Sequence, residues 1–203
     1  MTSQHPATFR SRRHLLREPD GEEQVARLAV AEGWKKVADV PAKRFGSEPR
    51  RMVWEMAAGF FLTYVRDRKL RTAYIVMTSR TTGDLGPYES WITACGLPLC
   101  GDDDLLRAIA EASTTEEKGR SLVRAGIGAP LNPDNRYSQE FIESVSDASP
   151  EVRKSGIMAI GHAEWAPFRE LLDAVAQQDP DARVRSLAKR MSTAFGEAGV
   201  GDA

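Results

Sequence analysis

Two hydrophobic rhythms divide the chain. Along residues 22–33 apolar side chains recur at the helical period, with Val25, Leu28 and Ala29 on one face and Trp34 at its end. Glu22 and Glu23 stand in the first turn, where the helix dipole favours anions, and Gly33 is placed to stop the helix. Between residues 35 and 79 the period falls to two. Met52–Met56, Phe60–Arg66 and Arg71–Thr78 read as strands, and Lys36–Val40 adds a fourth that Pro41 stops. Phe60, Leu62 and Tyr64 share one face of the second of these, and Phe61, Thr63 and Val65 the other. The turns Ala57-Ala58-Gly59 and Asp67–Leu70 are short enough to force antiparallel neighbours, so a meander with a helix over one face is expected. Residues 80–101, punctuated by Gly83, Gly86-Pro87, Gly96, Pro98 and Gly101, read as a connector with at most one short helix near Glu89–Ala94. Residues 1–20 are basic and aperiodic and read as a disordered arm.

From Asp102 the helical period returns, and it repeats. First helices open at Leu105, Phe141 and Leu171; second helices run over Glu117–Ile127, Glu151–Gly161 and Asp181–Ala194. The offsets are 36 and 30 residues for the first set and, counted at the aligned Arg124, Met158 and Arg190, 34 and 32 for the second. A helix pair of this length cannot bury its own apolar face, and stacking three of them makes one core. Ser149-Pro150-Glu151 and Asp179-Pro180-Asp181 each offer an N-cap residue, a proline at the first helical position and an acid at the second. Val152-Arg153 and Val184-Arg185 follow them.

This Ser/Asp-Pro start with its Val-Arg pair resembles the HEAT-repeat family over residues 102–195, most closely in the last two units. The first unit begins Thr114-Thr115 and lacks the Val-Arg pair, so it reads as a degenerate cap. Small bacterial proteins that join an α/β segment to HEAT repeats look similar overall. The resemblance implies an α–α superhelix. It implies a structural ladder between repeats built from Asp147, Arg153, Asp179 and Arg185. It also implies that the second helices line a concave face. Aligned, those helices bring Arg124, Met158 and Arg190 to one position, with Val123, Ile157 and Lys189 beside them. Arg124, Met158, Lys189 and Arg190 are therefore candidate partner-binding residues, because Arg and Met are enriched at interface cores. The competing reading packs Val123 and Ile157 and leaves the charges solvated. Trp165, in the linker Gly161–Pro167, is a further candidate anchor, against the alternative that it closes the end of a repeat core. The expected fold is α+β. A disordered arm spans 1–20, an α+β domain with a small antiparallel meander sheet 21–101, HEAT-like helical repeats 102–195 and a flexible tail 196–203.

Charge sharpens the division. The 203 residues carry a net −1, which gives no whole-molecule attraction to nucleic acid. Residues 1–101 hold 16 Lys+Arg against 11 Asp+Glu, and residues 102–203 hold 12 against 18. Cys95 and Cys100 are too few for a disulfide framework, and no second Cys/His pair completes a zinc site. Arg12-Arg13 is not followed by an apolar export segment, and no apolar run approaches the ~20 residues that span a membrane. A cytoplasmic protein is expected. His162 has no nucleophile or orienting carboxylate assignable to it, and Walker, Rossmann, zincin and nucleophile-elbow motifs are missing. The expectation is a non-catalytic protein-binding module without metal or cofactor. Two rivals stand beside it. One is a HEAT-like DNA-binding or DNA-repair protein, which the basic second-helix residues Lys118, Arg120, Arg124, Arg153, Lys154, Arg183, Arg185, Lys189 and Arg190 motivate. The other is an immunity-type inhibitor of a toxin, which small size and charge asymmetry permit.

Overall fold

The computed structural model describes residues 9–18, 21–43, 48–80 and 85–200. Backbone contacts divide the chain into two units, residues 1–100 and 101–203.

Among the described residues the first unit is a six-stranded antiparallel sheet with two helices. Its elements are β1 (Phe9–Arg10), β2 (His14–Leu15), α1 (Glu22–Ala31), β3 (Lys35–Val40), β4 (Arg50–Ala57), β5 (Phe60–Asp67), β6 (Thr72–Ser79) and α2 (Gly86–Ala94). The strand order is β1-β6-β5-β4-β3, with β2 also on β6. Register fixes which face is buried. Leu62 stands opposite Trp54 and Met77, and Tyr64 opposite Met52 and Ile75. Because side chains alternate along a strand, all six point to one face, and all are almost fully buried there. Val25 and Ala29 of α1 and Ile92 of α2 complete this core, and the rings of Trp34 and Trp91 meet over it at 5.2 Å. Gly59, at φ +80°, makes the two-residue turn between β4 and β5 that a side chain would strain.

One expectation fails here. The disordered arm is ordered over residues 9–18, where β1 and β2 run along β6. Ser11 N–H donates to the Met77 carbonyl at 2.9 Å, its hydroxyl accepts from Met77 N–H at 3.0 Å, and Leu16 joins the core. The order comes from backbone pairing with the edge of β6, and two-residue strands are too short to show a side-chain period. Residues 1–8 and 19–20 lie outside the described residues. The connector holds the one short helix expected near Glu89–Ala94, begun three residues earlier at Gly86, and its Tyr88, Trp91 and Ile92 pack on the sheet. On the far edge, β3 carries Lys35 and Lys36 and a bulge between Lys36 and Ala38, devices that discourage strand addition.

Among the described residues the second unit holds six helices: α3 (Asp102–Ala110), α4 (Thr115–Gly128), α5 (Asn135–Val145), α6 (Pro150–Ala163), α7 (Phe168–Gln178) and α8 (Ala182–Glu197). They pack as consecutive pairs, α3 with α4, α5 with α6, and α7 with α8. The second helices also pack on one another, α4 on α6 most extensively and α6 on α8. Gly126 is the reason α4 and α6 come so close, because a Cβ there would overlap the backbone of Ala159. Tyr137, Phe141, Trp165 and Phe168 form an aromatic core with ring centroids 5.8–6.4 Å apart. The expected flexible tail is helical through Glu197, with Phe195 buried beneath it and Val200 N–H bonded back to the Phe195 carbonyl; residues 201–203 lie outside the described residues. No helix among the described residues is long and apolar enough to cross a membrane.

Candidate interaction surface of the helical unit

The N-caps set the register. Thr114, Ser149 and Asp181 cap α4, α6 and α8, so the second helices repeat at 35 and 32 residues. Asp179 is not the cap of α8, as the Asp179-Pro180-Asp181 pattern had implied. Its carboxylate is taken by Arg153 and by Asp181 N–H, and the helix starts two residues later on Asp181, which accepts from Arg183 and Val184 N–H at 2.7 and 3.2 Å.

Four residues past each cap stands a cation: Lys118, Arg153 and Arg185. Two residues before the second and third caps stand Asp147 and Asp179. Each of the first two cations reaches the aspartate of the next unit. Lys118 Nζ meets Asp147 at 2.8 Å, and Arg153 grips Asp179 with two prongs at 2.7 and 2.9 Å. The Arg153–Asp179 pair is buried, its side chains 9% and 4% exposed, while Lys118 and Asp147 retain 39% and 21%. The Lys118 ammonium holds the Asp147 carboxyl below the usual carboxylate range, and the Arg153 guanidinium does the same for Asp179. Arg153 and Arg185 also bind backbone alike. NH1 of Arg153 donates to the Asp147 and Ala148 carbonyls, and NH1 of Arg185 to those of Asp179 and Pro180.

In this register the candidate column breaks. Val123, Met158 and Arg190 are equivalent, and Arg124 falls one residue, ~100° of helix, further on. Val123 and Ile157 are buried, so those two positions are packed. Arg124 and Met158 are half-buried, whereas Lys189 and Arg190 are exposed. Lys189 occupies the position of the fully buried Leu122 and Ile157, because no helix follows α8 among the described residues to cover it. Trp165 is no exposed anchor. It is 2% exposed, stacks on Phe168 at 5.8 Å and donates its indole N–H to the Pro130 carbonyl at 2.9 Å.

Charge is segregated by layer. Helices α4, α6 and α8 carry nine Lys+Arg and four Asp+Glu; helices α3, α5 and α7 carry three and seven. Within the basic layer pairing is uneven. Lys118, Arg120, Arg153 and Lys154 each face a carboxylate. Among the described residues none forms a salt bridge with Arg183, Arg185, Lys189 or Arg190, all on α8; Asp181 and Asp179 stand near Arg183 and Arg185 without bonding their guanidinium groups, and Arg190 bonds the Ser186 hydroxyl.

Two hollows complete the unit's surface. α5 and α7 touch little, and between them lies an apolar cavity of about 250 Å³ lined by Pro133, Ile142, Trp165, Pro167, Phe168 and Leu171. A more open one, about 420 Å³, continues from Leu171 to Asp147 and Asp179. The first unit has its own polar knot. Arg50 bonds Glu22 of α1 and Asp39 of β3, beside a cavity of about 270 Å³ lined in part by Arg66 and Arg68. Cys95 and Cys100 are not joined in a disulfide, and His162 sits half-buried in the last turn of α6. Among the described residues no group of three His, Cys, Asp or Glu is placed to hold a metal ion.

Sequence reasoning missed Lys118 as a rung and the Tyr137 hydroxyl bond to Asp102, 2.8 Å long, that ties α5 to α3. The first was signalled by the capping box Thr114-x-x-Glu117, which fixes the start of α4 and places Lys118 level with Arg153. The second had no local signal, since its partners lie 35 residues apart. Compared with family models, with curated proteins and with solved structures, the chain matches none.

Proposed function

We propose that the second unit is a short HEAT-type solenoid acting as a non-catalytic protein-binding module, and that its basic second-helix layer, above all α8, is the binding face. The solenoid reading is supported by three helix pairs with caps at near-constant spacing, joined by a rung that recurs at the same position. The binding face is carried by one observation: Lys118 and Arg120 of α4 and Arg153 and Lys154 of α6 are paired with carboxylates of the chain, whereas Arg183, Arg185, Lys189 and Arg190 of α8 form no salt bridge among the described residues. Arg183 and Arg190 share one flank of α8 and Arg185 and Lys189 the other, and like charges one or two turns apart repel, a cost in stability that an acidic partner relieves.

The test uses the full chain with Arg183, Lys189 and Arg190 changed to Glu. Tagged wild type and variant are used to capture partners from native cells after nuclease treatment, and the melting of both is compared. A stoichiometric protein held by wild type and lost in a variant that still melts normally is the expected result. Equal recovery by both sinks this face as the binding site. The same four cations favour a second reading, nucleic-acid binding, and for that reading recovery would have to vanish with nuclease.

A further inference from the structure

We propose that Arg185 is an open carboxylate-receiving fork, and that its ligand is an Asp or Glu side chain on an acidic segment of a protein partner. The proposal rests on the binding reading above and supplies its contact atoms.

The template for the site lies one unit earlier in the same chain. Arg153 divides its guanidinium between two tasks. NH1 holds the carbonyls of Asp147 and Ala148 at 2.9 and 3.1 Å, while Nε and NH2 grip the Asp179 carboxylate at 2.7 and 2.9 Å. Arg185 performs the first task in the same way, with NH1 on the carbonyls of Asp179 and Pro180 at 2.6 and 3.1 Å. Its Nε and NH2 have no acceptor among the described residues. The side chain is therefore already held by the contacts that orient Arg153 toward a carboxylate. Less rotamer freedom remains to be lost when a ligand arrives. A planar fork with two parallel donors fits a carboxylate in two-pronged fashion, which an ammonium cannot do.

The surroundings choose among occupants. Lys189 stands one turn past Arg185 on the same flank of α8 and forms no salt bridge, so an acidic stretch lying along that flank gains from both, while Arg183 and Arg190 stand on the other flank. A second copy of this chain stacked head to tail has no carboxylate at the equivalent position. The counterpart of Asp147 and Asp179 in its first unit, six residues before Lys118, is Ala112. A phosphate backbone is a poorer fit as well. Asp179 lies close enough to interact with Arg185, and Asp181 caps the same helix, so a continuous row of phosphates would run past both carboxylates. A single side-chain carboxylate need not.

The probe is a capped peptide with the chain's own sequence Gln178–Ala182, which carries the carboxylate that Arg153 accepts, beside a control peptide with both Asp changed to Asn. Each is titrated into the isotope-labelled full chain while the arginine Nε–H resonances are followed. The Arg185 resonance is assigned by its loss in Arg185→Lys. The expected result is a saturable shift of that resonance with the Asp peptide and at least about tenfold weaker binding of the Asn peptide, the scale of one charge-assisted, two-pronged contact. Arg185→Lys, which keeps the charge and loses the fork, should weaken the Asp peptide by a similar factor. Both wild-type titrations stand even if that variant melts lower. An Arg185 resonance that does not move, or moves equally with both peptides, overturns the proposal. So does a short DNA duplex that saturates Arg185 more tightly than the Asp peptide, or self-association of the wild-type chain that Arg185→Lys abolishes. A silent Arg185 combined with partner capture that still depends on Lys189 and Arg190 overturns the fork alone and leaves the binding face standing.

Discussion

Two rungs of one ladder differ mainly in how much water reaches them, and water decides what each contributes. Arg153 and Asp179 are nearly dry, so removing one partner leaves a buried charge without compensation. Asp179→Ala should cost the helical unit ~3–5 kcal/mol in denaturant unfolding. Lys118 keeps 39% of its side-chain surface, and Lys118→Ala should cost under ~1 kcal/mol because solvent screens the pair it breaks. Equal losses at the two rungs would show that burial is not what separates them. Acid offers a second check. Both aspartates have folded-state pKa values below their unfolded values, so each contributes stability that is full above the unfolded value and disappears as pH falls through the folded one. Wild-type stability should therefore decline below about pH 4, where free aspartate titrates. Asp179→Ala should start lower at neutral pH and decline less steeply. A variant that loses stability in parallel with wild type would remove Asp179 from the acid response.

At the scale of elements, spacing between helices is set by what their faces lack. Gly126 and Gly119 both lie on α4 and are both buried, but a Cβ meets different things at each. At Gly126 it overlaps the Ala159 backbone, which cannot move without separating α4 from α6; at Gly119 it meets the Ser155 hydroxyl, which can rotate away. Gly126→Ala should destabilise by ~1–3 kcal/mol, while Gly119→Ala should be neutral or gain toward the ~1 kcal/mol that alanine holds over glycine in a helix. Equal effects in equilibrium unfolding would contradict the close approach. The same distinction explains what the sequence could reveal. Strands β4, β5 and β6 and all six helices of the second unit were legible because their own periods name a buried face. β1 and β2 were not, because their order is borrowed from the edge of β6. The candidate column misaligned because helical periodicity tolerates a slip of one residue, and only the caps on Thr114, Ser149 and Asp181 remove it. Trp165 was legible as important and illegible in role, since a linker tryptophan looks the same whether it faces solvent or Phe168.

For the helical unit taken as one body, overall charge and local charge point in opposite directions. Residues 102–203 hold 18 Asp+Glu against 12 Lys+Arg, yet the second helices carry a surplus of cations. A partner approaching from a distance feels the sum, which repels acidic molecules and nucleic acid alike. At about 0.15 M salt that field is screened within ~8 Å, and only the layer in contact counts. Protein and duplex partners should then respond differently to salt. A duplex depends on many exposed phosphate contacts, each releasing counterions, so whatever affinity α8 has for it at low salt should fall steeply and be lost near physiological strength. A protein held by a carboxylate in the Arg185 fork depends on one short, partly desolvated contact and should lose far less over the same range. The check is affinity for the captured protein and for a short duplex, measured across one salt series with wild type and with the Arg183, Lys189 and Arg190 triple variant. If the protein's affinity falls as steeply as the duplex's, the contact is a diffuse charge surface, and α8 is a polyanion-binding helix rather than a site with a specified carboxylate.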